Sequence, residues 1–334
     1  RGTRAGLPRP PGSSPPTIGV DLGGTKIATA VITEDGRVLA SHRHPTETDA
    51  NAQRVIAAIA DCIETCLGDV AKSAGAVGIG VAGQVTPAGV LESAPNLPWG
   101  RLPLRSKIEQ AVALPTIVVN DVRAATFGEW KFGAGRGESD VVCLFIGTGV
   151  GGGIVADGHL RNGATNTAGE LGHITIQLDG RKCHCPNSGC LEAYVSGWAI
   201  GERAREIAAT RPVAAARLLT IAGKPSAIRA ETVTEAYRAG DALAQQILEK
   251  TVEYLAAGVV SIVNSFNPSV VILGGGVIEG LPSLIPPTEA LVRQQALEVA
   301  VRNLRIVRAG LGPEAGVMGA AALARAKIAR RGPR

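Results

Sequence analysis

The stretch VVCLFIGTGVGGGIVADGHL, residues 141–160, decides how this chain folds. Its first six residues are an unbroken apolar run, the pattern of a strand buried on both faces. Gly147, Gly149 and Gly152 then spell G-x-G-x-x-G. That pattern marks a dinucleotide site only when a helix follows, because the pyrophosphate rests on the helix N-terminus. Here Gly153 leads instead to Ile154, Val155 and an Asp157-Gly158 step, which is hairpin chemistry. The context argues against a dinucleotide fold. A hairpin whose turn is a chain of glycines can point backbone N–H groups at phosphate oxygens.

Working outward, TIGVDLGGTK (17–26) and SVVILGGGV (269–277) repeat the plan of an apolar run emptying into glycines, and GAVGIGVAGQV (75–85) is a weaker copy. Each set of glycines alone is as readily a structural turn as a ligand loop. Their recurrence points to one nucleotide gripped from several sides, by Gly23, Gly24 and Thr25, by Gly147, Thr148, Gly149 and Gly151, and by Gly274, Gly275 and Gly276. Asp21, at the end of its strand, can hold Mg²⁺ directly or through water, since Mg²⁺ keeps several waters and few carboxylates. Lys26 is a further phosphate contact, although no Walker loop surrounds it.

Apolar residues at three- and four-residue spacing predict helices over 51–70, 121–133, 240–266 and 316–329. The Pro-, Gly-, Ser- and Arg-rich residues 1–16 read as a flexible leader. Two α/β lobes are expected, over 17–120 and 121–314, with the helix at 315–330 returning to the first. The net charge of +5 is concentrated at the ends: three arginines precede residue 17 and five basic residues follow from Arg325, leaving the body at −3. Basic ends on an acidic body read as solvated tails and not as a nucleic-acid surface. No apolar run reaches the ~20 residues of a membrane span, and no signal-peptide core is present in 1–16. The expectation is a cytoplasmic protein with neither nucleic-acid nor membrane partners, in which six cysteines are not a disulfide framework.

Asp121 follows the apolar run TIVV at a predicted helix start, where a rigid element can present a carboxylate. It reads equally as a catalytic base or as a helix cap. Cys183, Cys185 and Cys190 lie within CHCPNSGCLE (183–192) and supply three thiolates for a tetrahedral metal, which needs a fourth donor. His184 is the nearest histidine, but its side chain points away from its flanking cysteines if the segment is extended.

Taken together, DLGGTK, VND (119–121), GTGVGGG, ELGH (170–173), CHCPNSGCLE and VILGGGV resemble the ROK family of sugar kinases and sugar-responsive repressors, in family order from about residue 17 to 325. The resemblance implies the two-lobed, actin-like ATPase fold of the hexokinase and Hsp70 superfamily, with ATP and Mg²⁺ in a cleft between lobes. It implies Asp121 as the catalytic base, and Gly83, Asn96, Asn120, Asp121, Glu170, His173 and Glu192 as the sugar-binding set. It also implies His173 as the fourth ligand of a structural Zn²⁺, beside Cys183, Cys185 and Cys190. The family motif has glycine where Pro186 stands, a change that removes no donor. APNLPW (94–99) resembles bacterial glucokinases, while VRQQAL (292–297) resembles N-acetylmannosamine kinases. The leading expectation is therefore phosphoryl transfer from ATP to the 6-hydroxyl of glucose, in a homodimer or homotetramer. An N-acylhexosamine kinase is the alternative. A repressor is disfavoured, because sixteen Pro- and Arg-rich residues cannot form a helix-turn-helix.

Overall fold

A computed structural model of the chain describes residues 14–46, 51–70, 74–94, 97 and 99–329. Most of the expected leader, and Asn96 of the expected sugar-binding set, lie outside the described residues. The chain forms two units, Arg1–Gly137 with Asn162–Ala168 and Pro313–Arg334, and Glu138–Arg161 with Gly169–Gly312.

In the first unit, β1 (Thr17–Leu22), β2 (Lys26–Ile32), β3 (Val38–Pro45), β4 (Val77–Val81) and β7 (Thr116–Asn120) form one sheet in the order β3-β2-β1-β4-β7. β5 (Gln84–Val85) and β6 (Leu91–Ser93) make a separate short hairpin. The β1, β4 and β7 strands run parallel, and β2 and β3 extend the sheet antiparallel. Ile18, Val20, Leu22, Ile79 and Val81 are fully buried, as continuous apolar strands covered on both faces require.

Two helices, Asp121–Phe132 and Ala315–Ala329, pack on this sheet, and the second lies so close to β1 and β4 that Cβ atoms at Gly19 and Gly78 would strike its backbone. The two helices meet through glycines. A Cβ at Gly319 would lie 1.7 Å from the Ala124 carbonyl oxygen, and one at Gly128 2.5 Å from that of Ala315. The helix that starts at Asp121 is thereby locked to the helix returning from the C-terminal end of the chain. This packing is why the boundary between units falls after Gly137 and not at Asp121 as the sequence suggested. The first unit also takes in residues 162–168. There the buried Arg123 guanidinium donates to the Asn162 side chain and to the backbone and side-chain oxygens of Asn166. Asn166 in turn donates to the Val85 carbonyl at 2.7 Å.

The second unit repeats the plan. β8 (Val141–Ile146), β9 (Val150–Ala156), β10 (His159–Leu160), β11 (Val270–Gly274) and β12 (Arg305–Arg308) form a sheet in the order β10-β9-β8-β11-β12. The β8 and β9 strands are antiparallel, joined by the glycine turn 147–149. Asp157 and Gly158 both take positive φ, 50° and 69°, as the two-residue hairpin turn between β9 and β10 demands. The helix Ala242–Phe266 is capped by Asp241, which accepts the Ala244 N–H at 2.8 Å, and buries Leu255, Val259 and Ile262. All six cysteines are unbridged, and Cys62 and Cys66 are buried in the core as small apolar residues. Among the described residues no helix is long and apolar enough to cross a membrane.

Candidate active site and metal centre

The helix that begins at Asp121 has its cap one residue earlier. Asn120 is the cap: its side-chain oxygen accepts the Arg123 N–H at 3.1 Å, while its amide donates to the Gly83 carbonyl at 3.3 Å. Asp121 occupies the first helical position, next to the cap. Burial pushes its pKa above the ordinary aspartate value, against the pull of hydrogen bonds from its own backbone and that of Val122. Asp21, on β1, lies against the first turn of the helix Ala315–Ala329, with its carboxyl carbon 3.2 Å from where a Gly316 Cβ would be. Its pKa is pushed up to about 6 by burial and then by the charge of Asp121, with Lys26 pulling the other way. The Asp121 charge raises the proton affinity of Asp21, a repulsion that a cation would relieve. Gly83 is fixed by close packing, since a Cβ there would lie 2.3 Å from the Ser93 carbonyl oxygen.

The two hairpin turns present fewer amides than their glycine count suggests. Gly23 spends its N–H on the Lys26 carbonyl at 3.0 Å, and Gly147 spends its own on Gly149 at 2.9 Å. In each turn the tip amides remain, those of Gly24 and Thr25 in one and of Thr148 and Gly149 in the other. Gly151 lies within β9, opposite Phe145. In the third segment Gly274 and Gly275 serve packing: Cβ atoms there would meet Phe145 at 2.9 Å and the Ile146 backbone at 2.6 Å. Gly276 faces open space and, with Gly147 and Thr148, lines a cavity of about 1100 Å³ within the second unit. Trp198, Arg205, Arg229 and Arg238 line the same cavity, and none of them stood out in the sequence. They come from two helices without a motif, Gly197–Thr210 and Ala230–Arg238, and from Arg229 just ahead of the second, and are joined only by folding.

The cysteine stretch forms a compact knuckle. The donor atoms of His173, Cys183, Cys185 and Cys190 all lie within 4.8 Å of one another. The His173 Nδ1 is 3.7 Å from the Cys183 sulfur, and the sulfurs of Cys185 and Cys190 are 3.6 Å apart. Metal–sulfur bonds of about 2.3 Å in a tetrahedron place sulfurs ~3.8 Å apart, so the set fits one metal ion. His184 is exposed and stacks on Trp198, with ring centroids 4.2 Å apart. Pro186 is exposed, and its carbonyl accepts from Lys182 at 2.8 Å. Glu170 is exposed and precedes the short helix Leu171–His173. Glu192 is only 9% exposed, and one of its oxygens accepts the Val150 N–H at 2.8 Å.

The chain matches the ROK family model over residues 17–327. It is 38% identical to a glucokinase of Streptomyces coelicolor over 92% of this chain and 97% of that protein. It is 31% identical to an N-acetylmannosamine kinase of Escherichia coli O1:K1, over 93% and 99% respectively. Among solved structures it is similar to a ROK family glucokinase from Streptomyces griseus in complex with glucose and AMPPNP. That match has a TM-score of 0.77 and 38% identity, and it covers 93% of this chain and 99% of that one.

Proposed function

The chain belongs to the ROK family, with its actin-like ATPase fold, and on that premise we propose that it is an ATP-dependent glucokinase acting on the 6-hydroxyl of glucose. The observation that carries the reading is Asp121. Asn120 caps the helix, and beside it a desolvated carboxylate stands at the first helical position. In the reaction the sugar oxygen attacks the γ-phosphorus, the bond to the β-phosphate oxygen breaks, ADP leaves and the hydroxyl proton passes to Asp121. In a loose transition state that proton leaves late, so the base need not be strong. The Gly24 and Thr25 amides and Lys26 are assigned to phosphate, and so are the amides of Thr148 and Gly149, with Gly276 beside them. The adenosine part is assigned to the cavity lined by Trp198 and the three arginines.

Asp21 is the residue suited to hold Mg²⁺, because its charge pair with Asp121 is relieved by a cation. Bound with ATP, Mg²⁺ supplies neutralisation of the phosphate charge. We assign zinc to the knuckle, on thiolate–imidazole donors in tetrahedral spacing. It braces His173 and Glu192, which with Glu170, Asn96, Asn120 and Gly83 make up the sugar set. The six unbridged thiols support a reducing, cytoplasmic setting. A homodimer or homotetramer without nucleic-acid partners completes the reading.

The test is a panel of sugars assayed with Mg·ATP in a coupled assay. Glucose should exceed N-acetylmannosamine in kcat/KM by at least ~10-fold. The reverse order would favour the N-acylhexosamine reading, and no turnover with any sugar would favour a non-enzymatic sugar sensor.

A further inference from the structure

Glu192 does something that a sugar-binding carboxylate need not do. One oxygen accepts the Val150 N–H at 2.8 Å, at the point where the glycine turn enters β9. The other is 3.9 Å from the Cys183 sulfur in the knuckle. A Cβ placed on Gly149 would have three nearest atoms, all of them Glu192's, with Oε2 at 2.6 Å. Gly149 has no positive φ, so that carboxylate is the obstacle to a side chain there. The carbonyls of the turn are held by the same stretch of chain. Gly197 donates to the Gly147 carbonyl at 2.8 Å, and Trp198 to that of Thr148 at 3.4 Å. Residues 192–198 therefore hold the turn at Gly147, Thr148 and Val150, and Glu192 also lies against the knuckle.

We propose that Glu192 is a positioning residue for the nucleotide: it fixes the 147–149 turn in the conformation whose tip amides receive phosphate, independently of any sugar. The inference rests on the kinase reading for its ligand. Its physical basis is that a buried side-chain oxygen accepting a backbone N–H holds that N–H in place, and its loss leaves the donor unpaired and lets the turn relax. A phosphate-binding turn is useful only if its amides are already aimed before the anion arrives.

The test is calorimetric titration of the full-length protein with Mg·AMPPNP in sugar-free buffer. It covers wild type, Glu192→Ala, Glu192→Gln, Gly149→Ala and the double variant Gly149→Ala/Glu192→Ala, with folding checked by circular dichroism. Glu192→Ala should weaken binding about 10-fold. Glu192→Gln, which keeps an acceptor oxygen, should stay within about 3-fold of wild type. Gly149→Ala should weaken binding about 10-fold alone, by displacing the carboxylate, but less than about 2-fold in the Glu192→Ala background. Wild-type affinity in Glu192→Ala, or an equal cost of Gly149→Ala in both backgrounds, overturns the inference while leaving the kinase reading intact. Should Glu192→Ala fail to fold, Gly149→Ala binding as tightly as wild type overturns it alone. If wild type itself binds no AMPPNP, the kinase reading fails and the inference with it.

Discussion

Gly319→Ala isolates the claim that helix packing sets the position of Asp121. In a helix interior this change removes the entropic cost of glycine and on propensity alone should stabilise by about 1 kcal/mol. In this fold the added methyl would lie 1.7 Å from the Ala124 carbonyl oxygen, with the carbon of that carbonyl at 2.6 Å. Ordinary contact requires roughly twice the first distance, so the helices Asp121–Phe132 and Ala315–Ala329 must separate by ~1.5 Å. Overpacking of this size costs up to about 3 kcal/mol, which leaves a net loss of about 2 kcal/mol after the propensity gain and a fall in Tm of about 3 °C for a chain of this length. The displaced helix carries Asp121, and a misplacement of ~1 Å at a reacting group costs about 100-fold. Calorimetric Tm and kcat, measured on one preparation and normalised to folded protein, read both effects. A Tm at or above that of wild type, with kcat within about 2-fold, would refute the reasoning. A lowered Tm with unchanged kcat would leave the packing argument standing and detach it from catalysis.

The pH profile should show the raised Asp121 pKa. A base must be ionised, so kcat/KM falls as pH drops through that value, and the acid limb should lie above the ordinary aspartate range. A limb at or below the model-peptide value near 3.9 would contradict the burial argument. Metal analysis should find about one zinc per chain, and Cys185→Ser, which leaves three donors, should lose metal and melt several degrees lower. Full metal content and unchanged melting in that variant would remove zinc from the account.

The sequence exposed the parts of this molecule that depend on local chemistry. The hairpin at 141–160 was legible because Asp157-Gly158 carries its turn type in its residue identities. The knuckle was legible because three thiols and the histidine motif are close in the chain. The unit boundary was not, because glycines at 128 and 319, far apart in sequence, let two helices meet at backbone distance. Residues 162–168 join the first unit through Arg123, whose burial nothing in its neighbourhood announces. Counting glycines overstated the phosphate donors, since Gly23 and Gly147 close their own turns and Gly274 and Gly275 serve packing. The hydrogen bond from Val150 to Glu192 spans 42 residues and follows no motif.

The most direct test of the account is Asp121→Asn, because Asn120 remains to cap the helix and asparagine keeps the shape of the side chain while removing the base. On one purified protein, the Kd for glucose and the steady-state kcat with Mg·ATP are measured side by side. The account predicts a Kd within about 3-fold of wild type and a kcat lower by about 10³-fold. A kcat within about 10-fold of wild type would contradict the assignment of Asp121 as the base.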